Sequence, residues 1–401
     1  METLWIKEDL PRAAELLRAG GLVAVPTETV YGLAANGLDE KAVHEVYEVK
    51  GRPERKPLSL MVPGAEAMER YCENVPRQAK TLAARFWPGP LTIVLKAKPA
   101  VPDIVRAGGE TVGLRCPDHP STLELLKLAQ IPFAAPSANP SGEESPKTAE
   151  EVRGYFDGRI AAIVDGGPCG IGKESTLIDV SRTPYRILRQ GALPAAEIAD
   201  ALAENMTVLG ITGPSGCGKT TALGEVERLG GLVLDCDRIY HELLETNREL
   251  LDAIASSFPG TVNGGALDRR ALGLRVFSDP EALEELNTIT HSFIGEEVRR
   301  RLRDWAMQGG TLAAIDAVEL VASGLAGRCT ATLAILADKE TRVGRIMLRD
   351  GIDRESALRR VDAQRGDNYY RENCDFVLEN NGDESAFATR VQMLIKEIQH
   401  T

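Results

Sequence analysis

Two α/β domains in tandem are predicted from this chain. The first, residues 1–204, is a twisted α/β sheet domain; the second, residues 205–401, is a phosphate-loop domain with a parallel sheet and a helical lid. Three observations carry that reading. Short apolar, β-branched runs recur between helix-forming stretches in both halves, as expected of strands connected through helices. Gly213-Pro214-Ser215-Gly216-Cys217-Gly218-Lys219-Thr220 follows one such run and opens one such helix, the order a phosphate-binding loop needs. That loop begins so far along the chain that another domain has to fold ahead of it, and 401 residues suffice for two cores.

The elements of the first half follow in order. The N-terminal METLWIKEDLPRAAELL is amphipathic and acidic, unlike a signal peptide. Gly21-Leu22-Val23-Ala24-Val25 reads as a strand that delivers Pro26-Thr27-Glu28-Thr29-Val30-Tyr31-Gly32. Residues 39–49 form an amphipathic helix with Asp39 as a plausible N-cap, running into Lys50-Gly51-Arg52-Pro53-Glu54-Arg55-Lys56-Pro57. Four cations within seven residues, broken by glycine and proline, suit a rigid anion-binding loop; a merely exposed charged loop is the other reading. A strand over residues 112–116 places Arg115 at its end, and residues 133–135 lead into Pro136-Ser137-Ala138-Asn139-Pro140-Ser141-Gly142. Residues 163–164 end in a glycine turn, and residues 174–179 and 185–191 complete the half. Strands that end repeatedly in small polar residues predict one shared concave site. An Ala-rich helical stretch from Pro194 to about Asn205 then leads to the domain break.

Composition narrows the function classes. With 43% apolar and 26% charged residues the chain is of ordinary globular type. A formal charge of −12 argues against coating nucleic acid, although a local basic cleft remains open to anions. The seven cysteines are odd in number, scattered and never in a CxxC pair, which points away from a disulfide scaffold or zinc site and towards a reducing cytoplasm. No apolar run approaches the ~20 residues of a membrane span, so a cytoplasmic protein without a membrane partner is expected.

PTETVYGL, KGRPERKPL, FWPGPLT, VGLRCP, APSANPSG, ESTLID and RQGAL occur in that order over residues 8–192. Together they resemble the YrdC-like threonylcarbamoyl-AMP synthases, which use L-threonine, bicarbonate and ATP to make an adenylate for tRNA modification. The resemblance implies a core nucleotide and carbonate site of Lys50, Arg52, Ser137 and Asn139, with Lys56, Thr111, Ser145 and Arg189 as further ATP contacts. It implies threonine contacts from Thr29, Arg115, Ala135 and Ser175, with Arg115 on the carboxylate. The partners it implies are a tRNA threonylcarbamoyl-transferase complex and tRNA, and the cofactor is Mg²⁺ carried on ATP. Lys56 stands where many relatives have asparagine, and Met61 where some have histidine. No histidine or carboxylate stands out as a base, so catalysis is expected to rest on positioning. A double-stranded-RNA-binding scaffold of the same fold is the alternative.

In the second half, Gly213, Gly216 and Gly218 let the backbone aim its N–H groups at phosphates, with Cys217 inside the loop. Lys219 reaches the outer phosphates and Thr220 offers a hydroxyl to Mg²⁺. Residues 230–234 form a strand ending at Asp235, which reads either as the base for a substrate hydroxyl or as a helix cap. Residues 311–315 form a strand ending at Asp316, a reasonable Mg²⁺-side carboxylate. Arg342, Arg345 and Arg349 share one helical face, either solvated surface or a lid over transferred phosphate. GITGPSGCGKTTAL, LDCDRIYHELL, LDRRALGLRVFSDPEALEELNTITHSFI and DFVLENNG resemble the dephospho-coenzyme A kinases across residues 207–395. That resemblance implies Asp235 at the 3′-hydroxyl of dephospho-CoA, Arg269 or Arg270 near the acceptor, and Arg345 and Arg349 acting from the lid on ATP. The usual DxPLLFE stretch is Asp316-Ala317-Val318-Glu319-Leu320-Val321 here, and the His-Pro pair is His291-Ser292. A kinase of another small molecule, or an ATP-binding regulatory module, is the alternative for this half.

Overall fold

The computed structural model describes residues 2–400. It divides into two units, one ending at Asn205 and the other beginning at Met206, with Met307–Gly309 grouped with the first.

Ten strands form the sheet of the first unit: β1 Leu4–Ile6, β2 Val23–Val25, β3 Gly32–Asn36, β4 Ser59–Met61, β5 Leu91–Lys96, β6 Thr111–Arg115, β7 Phe133–Ala134, β8 Ala162–Val164, β9 Thr176–Asp179 and β10 Arg186–Arg189. Their spatial order is β1-β8-β2-β3-β7-β4-β6-β5-β9-β10, with parallel and antiparallel neighbours mixed. The acidic N-terminal segment is a strand followed by the helix Leu10–Arg18, rather than one amphipathic element. That helix buries Ala13, Ala14 and Leu17 against Val23, Val25, Leu125 and Phe133. Such apolar burial stabilises by roughly 25 cal/mol per Å² and fixes the sheet on which the loops stand.

Two local devices position the first site. The helix Glu40–Lys50 starts at Asp39, whose side chain accepts from the N–H groups of Lys41 and Ala42, and stops at Gly51 in the left-handed region (φ 59°). The reversal leaves Lys50 buried at the helix C-terminus, where a cation complements the helix dipole, and turns Arg52 back towards the sheet. Gly191 packs so closely on residues 174–175 that a Cβ there would meet Glu174 O and Ser175 C at 2.3 Å.

The second unit has the parallel sheet its sequence predicts. Its strands are β11 Thr207–Thr212, β12 Leu232–Asp235, β15 Leu312–Asp316, β16 Ala331–Leu336 and β17 Phe376–Glu379, in the order β12-β15-β11-β16-β17; a small hairpin, β13 Val262–Asn263 and β14 Ala266–Leu267, stands apart. The glycine loop leaves the central strand β11 and enters the helix Lys219–Arg228 at the crevice where such folds take ligands. Gly213 has φ 145°, and a Cβ on it would lie 2.2 Å from Ile335 O. The helices Lys339–Asp350 and Arg354–Asp362 pack on each other through Val343, Ile346, Ala357 and Val361, a small core of their own. Among the described residues no helix is long and apolar enough to cross a membrane.

Two stability outcomes follow. Asp39→Ala should cost the first unit about 1 kcal/mol through the lost cap. Gly191→Ala should cost about 1–3 kcal/mol, because backbone has to move to admit the methyl group. Thermal denaturation reads both, and a Gly191→Ala midpoint equal to wild type would contradict the close approach.

Candidate functional site

In the first unit the ends of β4, β6 and β10, the turn after β7 and the start of β9 enclose a cavity of about 210 Å³. Its walls include Arg52, Arg115 and Arg189, the hydroxyls of Ser59, Thr92, Ser137 and Ser175, and the carboxylate of Glu174. Each guanidinium is tied down. Arg52 donates to the Lys56 and Pro57 carbonyls at 3.3 and 3.0 Å. Arg189 donates from Nε and Nη2 to Ser175 O at 3.1 and 2.8 Å, and from Nη2 to Ser175 Oγ at 3.1 Å. Arg115 donates to Thr29 Oγ1 at 2.7 Å and pairs with Glu28 at 2.8 Å, while its Nε is buried without a hydrogen-bond partner. Burial holds Arg52 and Arg189 below the ordinary guanidinium value; Arg189 adds to this at Arg52, and Arg115 at Arg189.

Behind this wall, buried Lys50 donates to the carbonyl oxygens of Ser137 and Asn139. Asn139 in turn donates to Pro140 O and Glu143 O at 3.0 and 2.7 Å. Burial first, and then the charge of Arg52, pushes the Lys50 ammonium down to about 7. Ser145 donates to Glu174 Oε1 at 2.7 Å, and this bond chiefly holds the Glu174 carboxyl below its usual range.

In the second unit Gly213, Gly216 and Gly218 all have positive φ, as a loop of inward N–H groups requires. Lys219 Nζ folds back on Gly213 O at 3.2 Å, and Thr220 is exposed at the start of its helix. Asp235 and Asp316 are neighbours across the β12–β15 register. Asp235 caps the helix Cys236–Thr246, accepting from Arg238 N–H at 3.0 Å. Asp316 has a buried Oδ1 without a hydrogen-bond partner, and its carboxyl is pushed up to about 6 by burial, with Lys219 pulling it down and Asp235 and Asp237 adding to the rise. A second cavity of about 240 Å³ opens next to this pair, lined by Asp237, Tyr240, His291 and Glu319 among apolar side chains.

The family model for Sua5, YciO and YrdC, described as telomere recombination, matches residues 15–191, and the dephospho-CoA kinase model matches residues 207–385. The threonylcarbamoyl-AMP synthase of Pyrococcus abyssi is 48% identical over 192 residues, 48% of this chain and 56% of the relative. A Methanocaldococcus jannaschii relative is 38% identical over 197 residues, 48% of this chain and 92% of its own length. The chain belongs, through its first half, to the Sua5/YrdC family. It spans about half the length of the first curated relatives it matches, 56% and 55% for the synthases of P. abyssi and Bacillus subtilis. Of solved structures, P. abyssi Sua5 complexed with L-threonine is 29% identical with a TM-score of 0.49, covering 82% of this chain and 96% of that one. The dephospho-CoA kinase of Campylobacter jejuni is 25% identical with a TM-score of 0.37, covering 48% of this chain and 97% of that one.

Within the Sua5/YrdC unit the structure gathers Arg52, Arg115, Ala135, Ser137, Ser175 and Arg189 around one cavity. Thr29, Lys50 and Ser145 stand one hydrogen bond behind that wall, and Asn139 accepts from Lys50 through its carbonyl. Exposed Lys56 and half-buried Thr111 are not part of the wall. Two carboxylates that the sequence reading did not single out belong to the site: Glu174 lines the cavity and Glu28 holds Arg115. Their sequence signal is adjacency to Ser175 and Thr29. In the second unit Arg345 reaches the carbonyls of Gly216 and Cys217 at 3.3 Å, whereas Arg349 is occupied by Asp350 at 2.7 Å and does not reach the loop. Asp235 is a helix cap, as one of its two readings has it. Arg269 and Arg270 are exposed at the start of their helix, and Arg269 lies close enough to Tyr240 for its charge to act there.

The depressed Lys50 value has a sign that a titration can read. Between about pH 7 and the free-lysine value of 10.5, the unfolded chain binds the proton that the folded one has lost. Stability of the Sua5/YrdC unit should therefore rise with pH through that window, relative to a Lys50→Met variant. Parallel denaturation curves for the two proteins from pH 6 to 10 would contradict the desolvated ammonium.

Proposed function

We propose that the first unit makes threonylcarbamoyl-AMP and pyrophosphate from L-threonine, bicarbonate and ATP, supplying a tRNA threonylcarbamoyl-transferase complex. One observation carries it: cations and hydroxyls from segments as far apart as Arg52, Ser137 and Arg189 line a single cavity. Threonine's amine attacks the bicarbonate carbon, water leaves, and a carbamate oxygen attacks the α-phosphorus of ATP with departure of pyrophosphate. Apart from the threonine ammonium the reacting groups are anionic. Fixed guanidiniums therefore stabilise both the bound state and the charge that shifts at phosphorus. Arg115, with Thr29, receives the threonine carboxylate, which displaces or shares Glu28. Arg52, Arg189 and Ser137 hold the nucleotide phosphates, and Lys50 keeps the residue 137–139 turn in place.

For the second unit the reading is transfer of the ATP γ-phosphoryl group to the 3′-hydroxyl of dephospho-CoA. The glycine loop and Lys219 hold the phosphates, and Asp235 orients the acceptor hydroxyl. Thr220 and the unpartnered Oδ1 of Asp316 fit a Mg²⁺ ion that arrives on ATP, since such an ion takes only one or two protein oxygens; it would neutralise phosphate charge there. Glu319 in the cavity beside Asp235 favours keeping a second reading, a kinase for a less anionic small molecule.

Product analysis of the full-length protein tests both assignments. Arg52→Ala should lower threonine- and bicarbonate-dependent pyrophosphate release by at least ~2.7 kcal/mol of barrier, roughly a hundredfold, and leave ADP formation with dephospho-CoA unchanged. Lys219→Ala should do the reverse. Loss of both activities from either change in folded protein contradicts two separate sites.

A further inference from the structure

The charges around the first cavity are unequal in number. Among the described residues, its lining carries three guanidiniums, Arg52, Arg115 and Arg189, and one carboxylate, Glu174. The guanidiniums have counterparts in the proposed substrates, since triphosphate, bicarbonate and the threonine carboxylate are all anions. One positive charge, the threonine ammonium, has none among them. We propose that Glu174 is the residue that recognises the ammonium of the amino-acid substrate, so that the cavity selects an α-amino acid over a hydroxy acid of the same shape. This rests on the adenylate-synthase reading above.

Placement supports it. Glu174 directly precedes Ser175, whose hydroxyl shares a 2.8 Å hydrogen bond with Thr92 at the same wall. The hydroxyl of Ser145 occupies only Oε1. Gly191 N–H is held by Thr176 Oγ1 at 3.0 Å and Ala192 N–H by Glu174 O at 2.8 Å, so the backbone that carries the carboxylate is clamped. The carboxyl sits below its usual range, so it is anionic at neutral pH, where threonine carries its ammonium. A half-buried carboxylate among these cations also counters the repulsion among them: its charge raises the value of Arg189, against the burial that lowers it. A purely positioning role on Arg189 would follow from that last fact alone, so the test has to separate the two.

Full-length wild type and Glu174→Gln are titrated calorimetrically with L-threonine and with (R)-3-hydroxybutanoate, which keeps the carboxylate and hydroxyl and lacks the amine, both in the presence of a non-hydrolysable ATP analogue. The expected result is a threonine Kd raised by about tenfold or more, with the hydroxybutanoate and nucleotide values changed by less than about threefold. Equal weakening of both acids together with the nucleotide assigns Glu174 to holding Arg189 and overturns the proposal. An unchanged preference for threonine in the variant overturns it as well. Wild type that binds no threonine at all overturns the adenylate-synthase reading first.

Discussion

Three guanidinium groups share one small cavity, and keeping them there against mutual repulsion and desolvation is the constraint on which the first unit is built. The chain meets it mainly with neutral acceptors. Arg52 rests on two backbone carbonyls and Arg189 on one carbonyl and a hydroxyl, which orient the cations without cancelling their charge. Of the three, Arg115 is the one paired directly with a carboxylate, and its Nε is buried without a hydrogen-bond partner. Uncancelled, oriented charge is what a polyanionic reaction needs, because nothing has to reorganise when charge moves. The close approach at Gly191 and the reversal at Gly51 are the backbone conditions for this arrangement.

The second unit deals with the same ligand charge by other means. Its loop presents backbone N–H groups and a helix N-terminus, with Lys219 as its own cation. For those N–H groups to face inward, the carbonyls of the same peptides have to be satisfied on the other side. Arg342 donates to Ser215 O at 3.1 Å, Arg345 to Gly216 O and Cys217 O at 3.3 Å, and Asn380 to Cys217 O at 2.9 Å. On the helix Lys339–Asp350, two members of the arginine stripe, Arg342 and Arg345, hold the loop through its carbonyls. Gln364 adds to the brace, accepting from both Arg342 and the Ser215 N–H group at 2.6 and 3.0 Å.

Most of the architecture was legible in the sequence because local signals and tertiary outcome agree. The Asp39 cap, the strand ending at Arg115, the glycine loop between β11 and its helix, and the strands ending at Asp235 and Asp316 lie where their residue types place them. The N-terminal strand was hidden because three residues, Leu4–Ile6, carry no period, and their pairing with β8 is settled by a segment over 150 residues away. Single carboxylates were hidden for a related reason. Glu28 and Glu174 lie inside PTETVYGL and ESTLID, but only the folded sheet shows which arginine each one acts on. Lys50 was legible as part of the basic loop, but not its direction: burial at a helix end places it off the cavity lining, on the turn that forms one wall.

The two carboxylates at the mouth of the second sheet differ in what supports their charge. Asp235 sits at the N-terminus of an eleven-residue helix and uses one oxygen on the Arg238 N–H group. Asp316 has no such support; burial penalises its charge, and Asp235 and Asp237 add to the penalty, which only Lys219 offsets. Adjacent carboxylates in such unlike surroundings are suited to different parts. Asp316, beside Lys219 and with an unpartnered buried oxygen, gains most from a cation on the phosphate side. Asp235 leads into the helix whose Asp237 and Tyr240 line the neighbouring cavity, which supports the proposed acceptor role. The cap and the proposed acceptor role are compatible, because the helix bond that caps also holds the carboxylate in place.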